Sequence, residues 1–184
     1  SLNLKVAGMS TALEPFDFAK TRLFVSDDLA DGSVVVLDPG QTHYLANVMR
    51  KSVGETVLLF NGRDGEWLAE IARIGKKALD LRVLKLSRAQ TVTPVLERLF
   101  APCKKLGLDF PVQKAAGLGV SVIRPVITRR TNAKVKQHRM IANVIEAAEQ
   151  SGRLDVPEVK PEVRLEALLA EWPAGRRLIF CDEA

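Results

Sequence analysis

Residues 120–130 read Val120-Ser-Val-Ile-Arg-Pro-Val-Ile-Thr-Arg-Arg130, a run rich in valine and isoleucine that ends on two arginines. Residues branched at Cβ favour strands, so the segment predicts a strand over 120–127. Open parallel sheets bind their ligands at the carboxyl ends of the strands, and Arg129 and Arg130 directly follow this one. The segment therefore indicates a sheet with a basic edge where a ligand would bind.

Strand and helix patterns continue on both sides of this segment. In chain order they predict strand 96–103, helix 107–117, strand 120–127, helix 135–151, helix 165–171 and strand 177–181. An alternating series of this kind implies a parallel sheet covered by helices. Because the last predicted strand is followed directly by Asp182-Glu-Ala184, the sheet is small and the fold looks unfinished.

The N-terminal half has a different pattern, in which short apolar runs are separated by turn residues such as Asn61-Gly62. Several runs alternate apolar and polar residues, as strands with one buried face do. The predicted strands are 22–25, 33–37, 56–60, 66–71 and 78–84. Together they predict a small closed or nearly closed β-barrel.

A helical insert interrupts the barrel pattern at residues 42–50. At helical spacing it would place Leu45, Val48 and Met49 on one face and leave Arg50 free to point elsewhere. His43, like Arg50, would be free to point away from that face.

Changes in composition along the chain suggest that it has three segments. Residues 1–20 show no sustained period and are expected to be a poorly ordered arm, with Met9 as a candidate native start after vector residues. Residues 21–88 make up the barrel. A polar linker ending in Pro94 follows, and residues 94–184 make up the α/β domain.

Positive charge is concentrated in the middle of the chain. Residues 98–139 contain ten basic side chains and a single acidic one, whereas residues 1–97 contain twelve of each. Such a basic segment is typical of a face that binds the phosphates of a nucleic acid, although a solvated basic surface is the alternative. The basic residues are Arg98, Lys104, Lys105, Lys114, Arg124, Arg129, Arg130, Lys134, Lys136 and Arg139.

Several classes of protein are disfavoured by the composition. No apolar run approaches the roughly 18 residues that span a bilayer, and there is no signal-peptide pattern, so a cytoplasmic location is expected. The only candidates for soft metal ligands are Cys103, Cys181, His43 and His138, and none lies in a ligand motif. A metal enzyme is therefore not expected.

Four motifs of the second half, read together, resemble the RsmE-type 16S ribosomal RNA uridine-N3 methyltransferases, whose second domain belongs to the knotted SPOUT class. They are Lys104-Lys105, Val112-Gln-Lys-Ala-Ala-Gly-Leu-Gly-Val120, Ile123-Arg-Pro-Val-Ile-Thr-Arg-Arg130, and Ile145-Glu-Ala-Ala-Glu-Gln-Ser-Gly-Arg153 with Val156-Pro157. The barrel, with Arg22-Leu-Phe24, His43 and Val48-Met-Arg50, is similar to the PUA-like domain that precedes it in that family. The resemblance covers the middle third of the chain and extends into the barrel.

The resemblance implies a function, a cofactor and partners. The expected reaction is methyl transfer from S-adenosylmethionine to N3 of a uridine in 16S ribosomal RNA of the small subunit, by a homodimer. The family's acidic residue before Leu118 is replaced by Gly117, which removes a charge and lowers helix propensity by about 1 kcal/mol. The family's Gly-rich cofactor loop has no counterpart before Ala184, so the cofactor-binding residues are expected beyond it and cannot be assigned.

Arg129 and Arg130 are the candidate catalytic residues. Removing the N3 proton places negative charge on the uracil oxygens, and a guanidinium there would stabilise it. Contact with phosphate alone is the alternative for both. The candidate RNA-binding residues are Arg22, Arg50, Lys104, Lys105, Lys114, Arg124, Gln150 and Arg153.

Structural or solvent-exposed roles without RNA contact are the alternatives to several of these assignments. Lysines 104 and 105 could be ordinary surface residues, Ser151-Gly152 could cap a helix, and Glu146 and Glu149 are expected to be solvated. A non-catalytic ribosomal-RNA-binding module, truncated or relic, is the alternative function, and the chain as it stands is expected to be inactive by itself. A small-molecule α/β enzyme ranks last, because no phosphate loop or nucleophile elbow is present.

Overall fold

The computed structural model describes residues 20–102, 109–131 and 135–181. The chain divides into two compact units. The first comprises the residues up to Val92 together with Gly152–Asp155, and the second comprises Thr93–Ser151 and the residues from Val156 onward. The short segment Gly152–Asp155 thus belongs with the N-terminal half, although it lies far along the chain.

The first unit is a five-stranded sheet. Its strands are β1 Arg22–Phe24, β2 Val34–Leu37, β3 Thr56–Phe60, β4 Glu66–Ile74 and β5 Leu79–Arg88. Their spatial order is β1-β3-β4-β5-β2, in which β1 runs parallel to β3 and the other pairs are antiparallel.

This sheet wraps around a single apolar core, to which all five strands contribute. In β2, for example, Val35 and Leu37 point into the core while Val34 and Val36 are exposed, which is the alternation expected of a half-buried strand. The Gln41 side chain, which follows β2, donates a hydrogen bond of 2.7 Å from Nε2 to the carbonyl of Phe24 in β1. It thereby links the two edges of the sheet, and the prediction of a nearly closed barrel is confirmed.

The helical insert differs from the prediction. It consists of α1, Pro39–His43, followed by a π-helical segment, Tyr44–Val48. Leu45 is completely buried, but Val48 is 59% exposed and Met49 41% exposed, so the three do not share one face as predicted. A π-helix has more residues per turn than an α-helix, so positions three and four residues apart no longer share one face.

The second unit follows the predicted β/α order. Its elements are β6 Glu97–Phe100, α2 Asp109–Gly117, β7 Val122–Ile127, α3 Gln137–Ser151, β8 Glu158–Val159, β9 Val163–Arg164 and α4 Leu165–Ala170. Strand β7 lies at the centre and pairs in parallel with β6, β8 and β9. The predicted parallel sheet is confirmed, and the two short strands β8 and β9 were not predicted.

Helices α2 and α3 pack with β7 into a second core, which includes Ile123, Met140 and Val144. Helix α3 presents Met140, Val144, Ala147 and Ala148 to it, a stripe at helical spacing. Gly152 follows the last residue of α3 with φ of 74°, a conformation that ends helices and favours glycine. The predicted cap at Ser151-Gly152 is therefore confirmed.

The predicted strand over residues 177–181 is wrong. This segment has no regular structure, and Ile179 and Phe180 are each 81% exposed. A strand forms only when a neighbour satisfies its backbone groups, and no strand in the described part of the chain pairs with this segment. Its apolar composition alone does not make it a strand.

Candidate nucleic-acid interface

A tight turn at the carboxyl end of β7 presents the two candidate catalytic arginines. The Thr131 backbone N–H donates to the carbonyl of Thr128 at 3.1 Å, and the Thr128 N–H donates to Oγ1 of Thr131 at 2.8 Å. The two threonine hydroxyl oxygens lie 3.1 Å apart, within hydrogen-bonding distance. Arg129 and Arg130 occupy the centre of this turn, and both are exposed.

Neither arginine has a hydrogen bond or ion pair with any residue that the structure describes. A guanidinium carries five N–H donors in a fixed plane, which suits phosphate oxygens and the carbonyl oxygens of a base. Because the turn is closed by its own threonines, the backbone that carries both guanidiniums is ordered before any ligand binds. The 128–131 turn is thus a prearranged pair of cationic donors at a sheet edge.

Arg124 has a structural partner. Its Nε lies 2.6 Å from Oε1 of Glu97, whose side chain is only 5% exposed. The other oxygen of Glu97 forms an ion pair with Nη1 of Arg176, also at 2.6 Å. Two arginines therefore share one nearly buried carboxylate in this group, which we call the Glu97 cluster. Arg124 thus uses its Nε donor and its charge for a contact inside the second unit.

Arg22 belongs to a more deeply buried group in the first unit, the Glu66 cluster. Glu66 is 1% exposed and accepts from Nε of Arg22 at 2.6 Å and from Nε and Nη2 of Arg88 at 2.8 and 2.7 Å. The Arg22 guanidinium also lies over the ring of Phe60, 4.3 Å from its centre. With its side chain 2% exposed, Arg22 has a structural role, and we do not carry it into the proposed RNA surface.

The same two arginines hold the segment Gly152–Asp155. Nη2 of Arg22 donates to the carbonyl of Arg153 at 2.7 Å, and Nη2 of Arg88 donates to the carbonyl of Gly152 at 2.9 Å. Two guanidiniums fixed by one carboxylate thus fix two consecutive carbonyl groups. This explains why a segment so distant in sequence belongs to the first unit.

The ionisation of Glu66 reflects this environment. Burial by itself raises the pKa of Glu66, because a carboxylate loses its hydration. The hydrogen bonds and the charges of Arg88 and Arg22 outweigh burial, so the pKa lies below its ordinary value of 4.5. Glu66 is therefore an ionised structural carboxylate and is not suited to be a general base at neutral pH.

Two further candidates lie at the end of α3 and just after it. Gln150 is exposed and donates from Nε2 to the Glu146 carboxylate at 3.2 Å. Arg153 pairs through two nitrogens with Asp155, at 3.2 and 2.7 Å, and its side chain is 10% exposed. Gln150 remains available to a ligand, whereas the Arg153 guanidinium is largely engaged.

The remaining candidates are spread over both units. Arg50, in the first unit, is exposed, and so is Lys114 in α2. Lys104 and Lys105 lie outside the described residues. Among the predicted RNA-binding residues, the structure joins Arg22 to the carbonyl of Arg153, a contact that serves the fold of the first unit.

Sequence reasoning missed Glu66, Glu97, Arg88 and Arg176. A signal was present in the two glutamates, since each lies at the start of a strand whose other residues are largely apolar. Charged residues are almost never fully buried unless they are paired. An acidic residue in such a strand therefore predicts basic partners, although it does not say which.

Other kinds of site were also considered in the described residues. They contain no cluster of three or more His, Cys, Asp or Glu side chains that could hold a metal ion. None of the helices described is long and apolar enough to cross a membrane.

Comparison with known proteins defines the class of this chain. A model of the RNA methyltransferase domain matches residues 92–184, half of the chain, and a model of the RNA methyltransferase PUA domain matches residues 37–84. The chain belongs to the RNA methyltransferase family that the first model describes, with a PUA domain before it.

Individual relatives are more specific, and they confirm the resemblance to the RsmE type. Ribosomal RNA small subunit methyltransferase E of Rickettsia conorii is 33% identical over 150 residues, which cover 80% of this chain and 62% of that protein. The enzyme of the same name from Buchnera aphidicola of Schizaphis graminum is 25% identical over 175 residues, covering 89% and 70%. The chain thus spans less than two thirds of the Rickettsia relative.

Solved structures agree with this grouping. A Legionella pneumophila protein described as a methyltransferase, in complex with the cofactor SAM, superposes with a TM-score of 0.73 at 27% identity. The match covers 83% of this chain and 66% of that one. Ribosomal RNA small subunit methyltransferase E of Neisseria gonorrhoeae, bound to S-adenosylmethionine, gives 0.71 at 27% identity, covering 84% and 66%. The fold is thus that of the SPOUT methyltransferases.

Proposed function

We propose that this protein transfers a methyl group from S-adenosylmethionine to N3 of a uridine in 16S ribosomal RNA of the small subunit. The observation that carries the proposal is the 128–131 turn, which presents two arginines without partners among the described residues at the carboxyl edge of a parallel sheet. The membership of the RNA methyltransferase family and the names of the relatives support the reaction class and the ribosomal substrate.

The cofactor would supply the methyl group, and two similar structures contain it. The side chains described at the sheet edge, two guanidiniums and two threonine hydroxyls, suit anionic oxygens. They do not offer the apolar surface on which an adenine ring would pack. We therefore assign these residues to the RNA and assign no described residue to the adenosyl group.

The geometry of the target atom explains why donors are needed at this edge. N3 of uridine lies on the Watson–Crick edge, so the base must be unpaired or turned out of its stack before N3 is accessible. As the N3 proton leaves, negative charge develops on O2 and O4 of the uracil. A guanidinium of Arg129 or Arg130 at one of these oxygens would stabilise that charge, while the other could hold a flanking phosphate.

The other candidate residues would provide affinity rather than chemistry. Exposed Arg50, Lys114 and Gln150, together with Lys104 and Lys105, would contact RNA phosphates or bases. Arg124 and Arg153 would contribute only through donors that Glu97 and Asp155 do not occupy.

The proposal extends to the organisation of the protein. Residues 21–88 would be the RNA-binding domain and residues 94–184 part of the methyltransferase domain. The resemblance implies a homodimer, since SPOUT active sites are completed across subunits. A substrate in the small ribosomal subunit implies a cytoplasmic enzyme.

Steady-state methylation of purified small ribosomal subunits tests the proposal. Arg129→Gln and Arg130→Gln are compared with wild type, and Arg177→Gln, an exposed arginine elsewhere in the second unit, is the control. Loss of a donor to the developing charge would lower kcat by about 100- to 1,000-fold. Loss of a phosphate contact would raise KM and reduce the salt dependence of binding.

The outcomes separate the two functions that remain open. Incorporation of methyl groups into 16S RNA by wild type, reduced in one or both variants but not in Arg177→Gln, supports the proposal. Tight binding of ribosomal RNA without any methyl transfer would instead favour the non-catalytic RNA-binding module.

A further inference from the structure

Two uncommon backbone features occur within seven residues in the first unit. Tyr44–Val48 is π-helical, and Arg50 has φ of 51°, the only non-glycine residue with positive φ that the structure describes. Short π-helical segments are frequently found at functional sites, and a non-glycine residue in the left-handed region is strained. We call residues Tyr44–Arg50 the 44–50 turn.

The backbone strain at Arg50 is caused by a nearby hydrogen bond, and no contact of the Arg50 side chain with the described residues offsets it. The Lys51 N–H donates to the carbonyl of Leu45 at 2.9 Å and closes the helical segment. This hydrogen bond requires Arg50, directly before Lys51, to adopt a positive φ. Helices usually end in this way on glycine or asparagine. An arginine at the position therefore costs stability that a glycine would not. The side chain also has no hydrogen bond or ion pair to any described residue.

Several apolar side chains close to this arginine in sequence are exposed. Tyr44, Val48, Met49 and Val53 are between 40% and 60% exposed, whereas Leu45 next to them is fully buried. Tyr44 is the single tyrosine of the chain, and its ring is the one aromatic side chain of the described first unit that counts as exposed. Clustered apolar exposure of this kind marks a binding surface more often than chance.

The charges near the turn favour an anionic ligand. Glu55 accepts the Ser52 N–H at 2.6 Å and pairs with Lys51 at 3.0 Å, and these two contacts lower its pKa. Asp38 accepts the Gln41 N–H at 2.8 Å as the cap of α1. Neither carboxylate pairs with Arg50, so the Arg50 charge remains uncompensated among the described residues.

We propose that the 44–50 turn is a stacking site for an unpaired base of single-stranded RNA, with the base against Tyr44 and the Arg50 guanidinium on its phosphate. An exposed aromatic ring and a cation unpaired among the described residues, in one short turn, are groups that bind single-stranded nucleic acid, because each nucleotide offers a flat ring and a negative charge. The inference rests on the proposed ribosomal RNA substrate and assigns part of its binding to the first unit.

Binding of labelled RNA to the purified protein, followed by fluorescence anisotropy, tests the site. The probes are a uridine-rich single strand and a duplex of the same length. Tyr44→Ala is expected to weaken single-strand binding by about 5- to 100-fold. Tyr44→Phe, which keeps the ring, should restore most of it. Val36→Ala, which alters an exposed apolar residue on the outer face of β2, is the control and should bind as wild type does.

Arg50→Gly separates function from stability. Glycine adopts positive φ without strain, so the melting temperature should rise by a few degrees, roughly 2–6 °C. Single-strand affinity should nevertheless fall, and the slope of log affinity against log salt should decrease by about 0.7, the amount expected for one phosphate contact. A stabilised protein that binds RNA less well would be the signature of a residue kept for its ligand.

Several results would overturn the inference while leaving the proposed function intact. If Tyr44→Ala and Arg50→Gly both matched wild type in single-strand affinity and salt slope, the site would not bind RNA. An equal loss for duplex and single strand would exclude base stacking. A change in self-association without a change in RNA affinity would identify the turn as a protein contact. Failure of wild type itself to bind ribosomal RNA would instead contradict the proposed function.

Discussion

The Glu66 cluster and the 128–131 turn each bring two arginines together, but for opposite purposes. In the cluster, Arg22 and Arg88 surround a buried carboxylate, and their side chains are 2% and 17% exposed. In the turn, Arg129 and Arg130 are exposed and lack partners among the described residues. The comparison shows that positive charge in this protein is divided between holding the fold and remaining available for a ligand.

The Glu97 cluster lies between these extremes. Its carboxylate is 5% exposed, but its arginines, Arg124 and Arg176, are 22% and 36% exposed. Water can therefore replace part of the interaction between these arginines and Glu97, whereas it cannot replace the interaction in the more deeply buried Glu66 cluster. If the comparison is correct, the effect of each cluster on stability should follow its burial.

The largest expected effect is that of Glu66→Gln. Removing one partner of a buried ion pair leaves uncompensated charge, which typically destabilises by about 3–5 kcal/mol. Here two arginines would lose their carboxylate, and the carbonyl groups of Gly152 and Arg153 would lose fixed donors. Urea denaturation followed by tryptophan fluorescence measures the free energy of unfolding. A loss below 1 kcal/mol would contradict the structural role of the cluster.

Glu97→Gln should cost less, about 1–2 kcal/mol, because the arginines around it remain partly hydrated. The same denaturation experiment compares the two variants directly. If Glu97→Gln lost as much unfolding free energy as Glu66→Gln, or more, the contribution of a cluster to stability would not follow its burial.

Acid should weaken the first unit in a way that depends on Glu66. Its pKa is lowered in the folded state, so its contribution to stability is complete above 4.5 and is lost as the pH falls through the folded pKa. The melting temperature of wild type should therefore fall between neutral pH and pH values below 4.5. Asp64, whose pKa is lowered by the Leu29 backbone N–H and the Asn61 amide, would add to this fall in both proteins. Glu66→Gln should show a smaller decrease than wild type over the same range, and parallel curves would argue against the assignment.

Gly117→Ala should increase stability by up to about 1 kcal/mol. Gly117 is the last residue of α2, its φ is not positive, and an added Cβ would meet no atom within 4 Å. Alanine has the higher helix propensity and less freedom in the unfolded chain. A destabilised variant would show that the position has a role other than ending the helix.

The arginines of the turn should matter least for stability. Arg129→Gln and Arg130→Gln are expected to change the free energy of unfolding by less than about 0.5 kcal/mol, because they remove no contact within the described residues. The same variants should impair RNA methylation. A clear loss of stability would place these residues with the structural arginines and weaken the comparison.

Much of the fold could be predicted because it depends on local patterns. Alternation of apolar residues located the barrel strands, and the order of strands and helices gave the parallel sheet around β7. Prediction failed where geometry departs from a standard period, as for Val48 and Met49, whose exposure follows from a π-helix. It also failed for residues 177–181, since a strand needs a partner as well as an apolar sequence.

The roles of individual arginines were harder to predict. Arg22 reaches Glu66, 44 residues away, and the carbonyl of Arg153, 131 residues away. No local pattern contains such pairings, so arginines that serve the fold and arginines free for RNA look alike in the sequence. The position of Arg129 and Arg130 just beyond the carboxyl end of β7 could be predicted, because the strand ends where the apolar run in the sequence ends.

The most direct test of the central claim is to quantify N3-methyluridine in 16S RNA after small ribosomal subunits are incubated with the full-length protein and S-adenosylmethionine, since the present chain is expected to be inactive by itself. The account predicts that wild type forms this nucleoside and that the double variant Arg129→Gln, Arg130→Gln, although folded, forms at least tenfold less, the loss of about 1.4 kcal/mol in transition-state stabilisation. Equal product from both proteins would contradict the role of the 128–131 turn, and methylation at any other position of the RNA would contradict the assigned reaction.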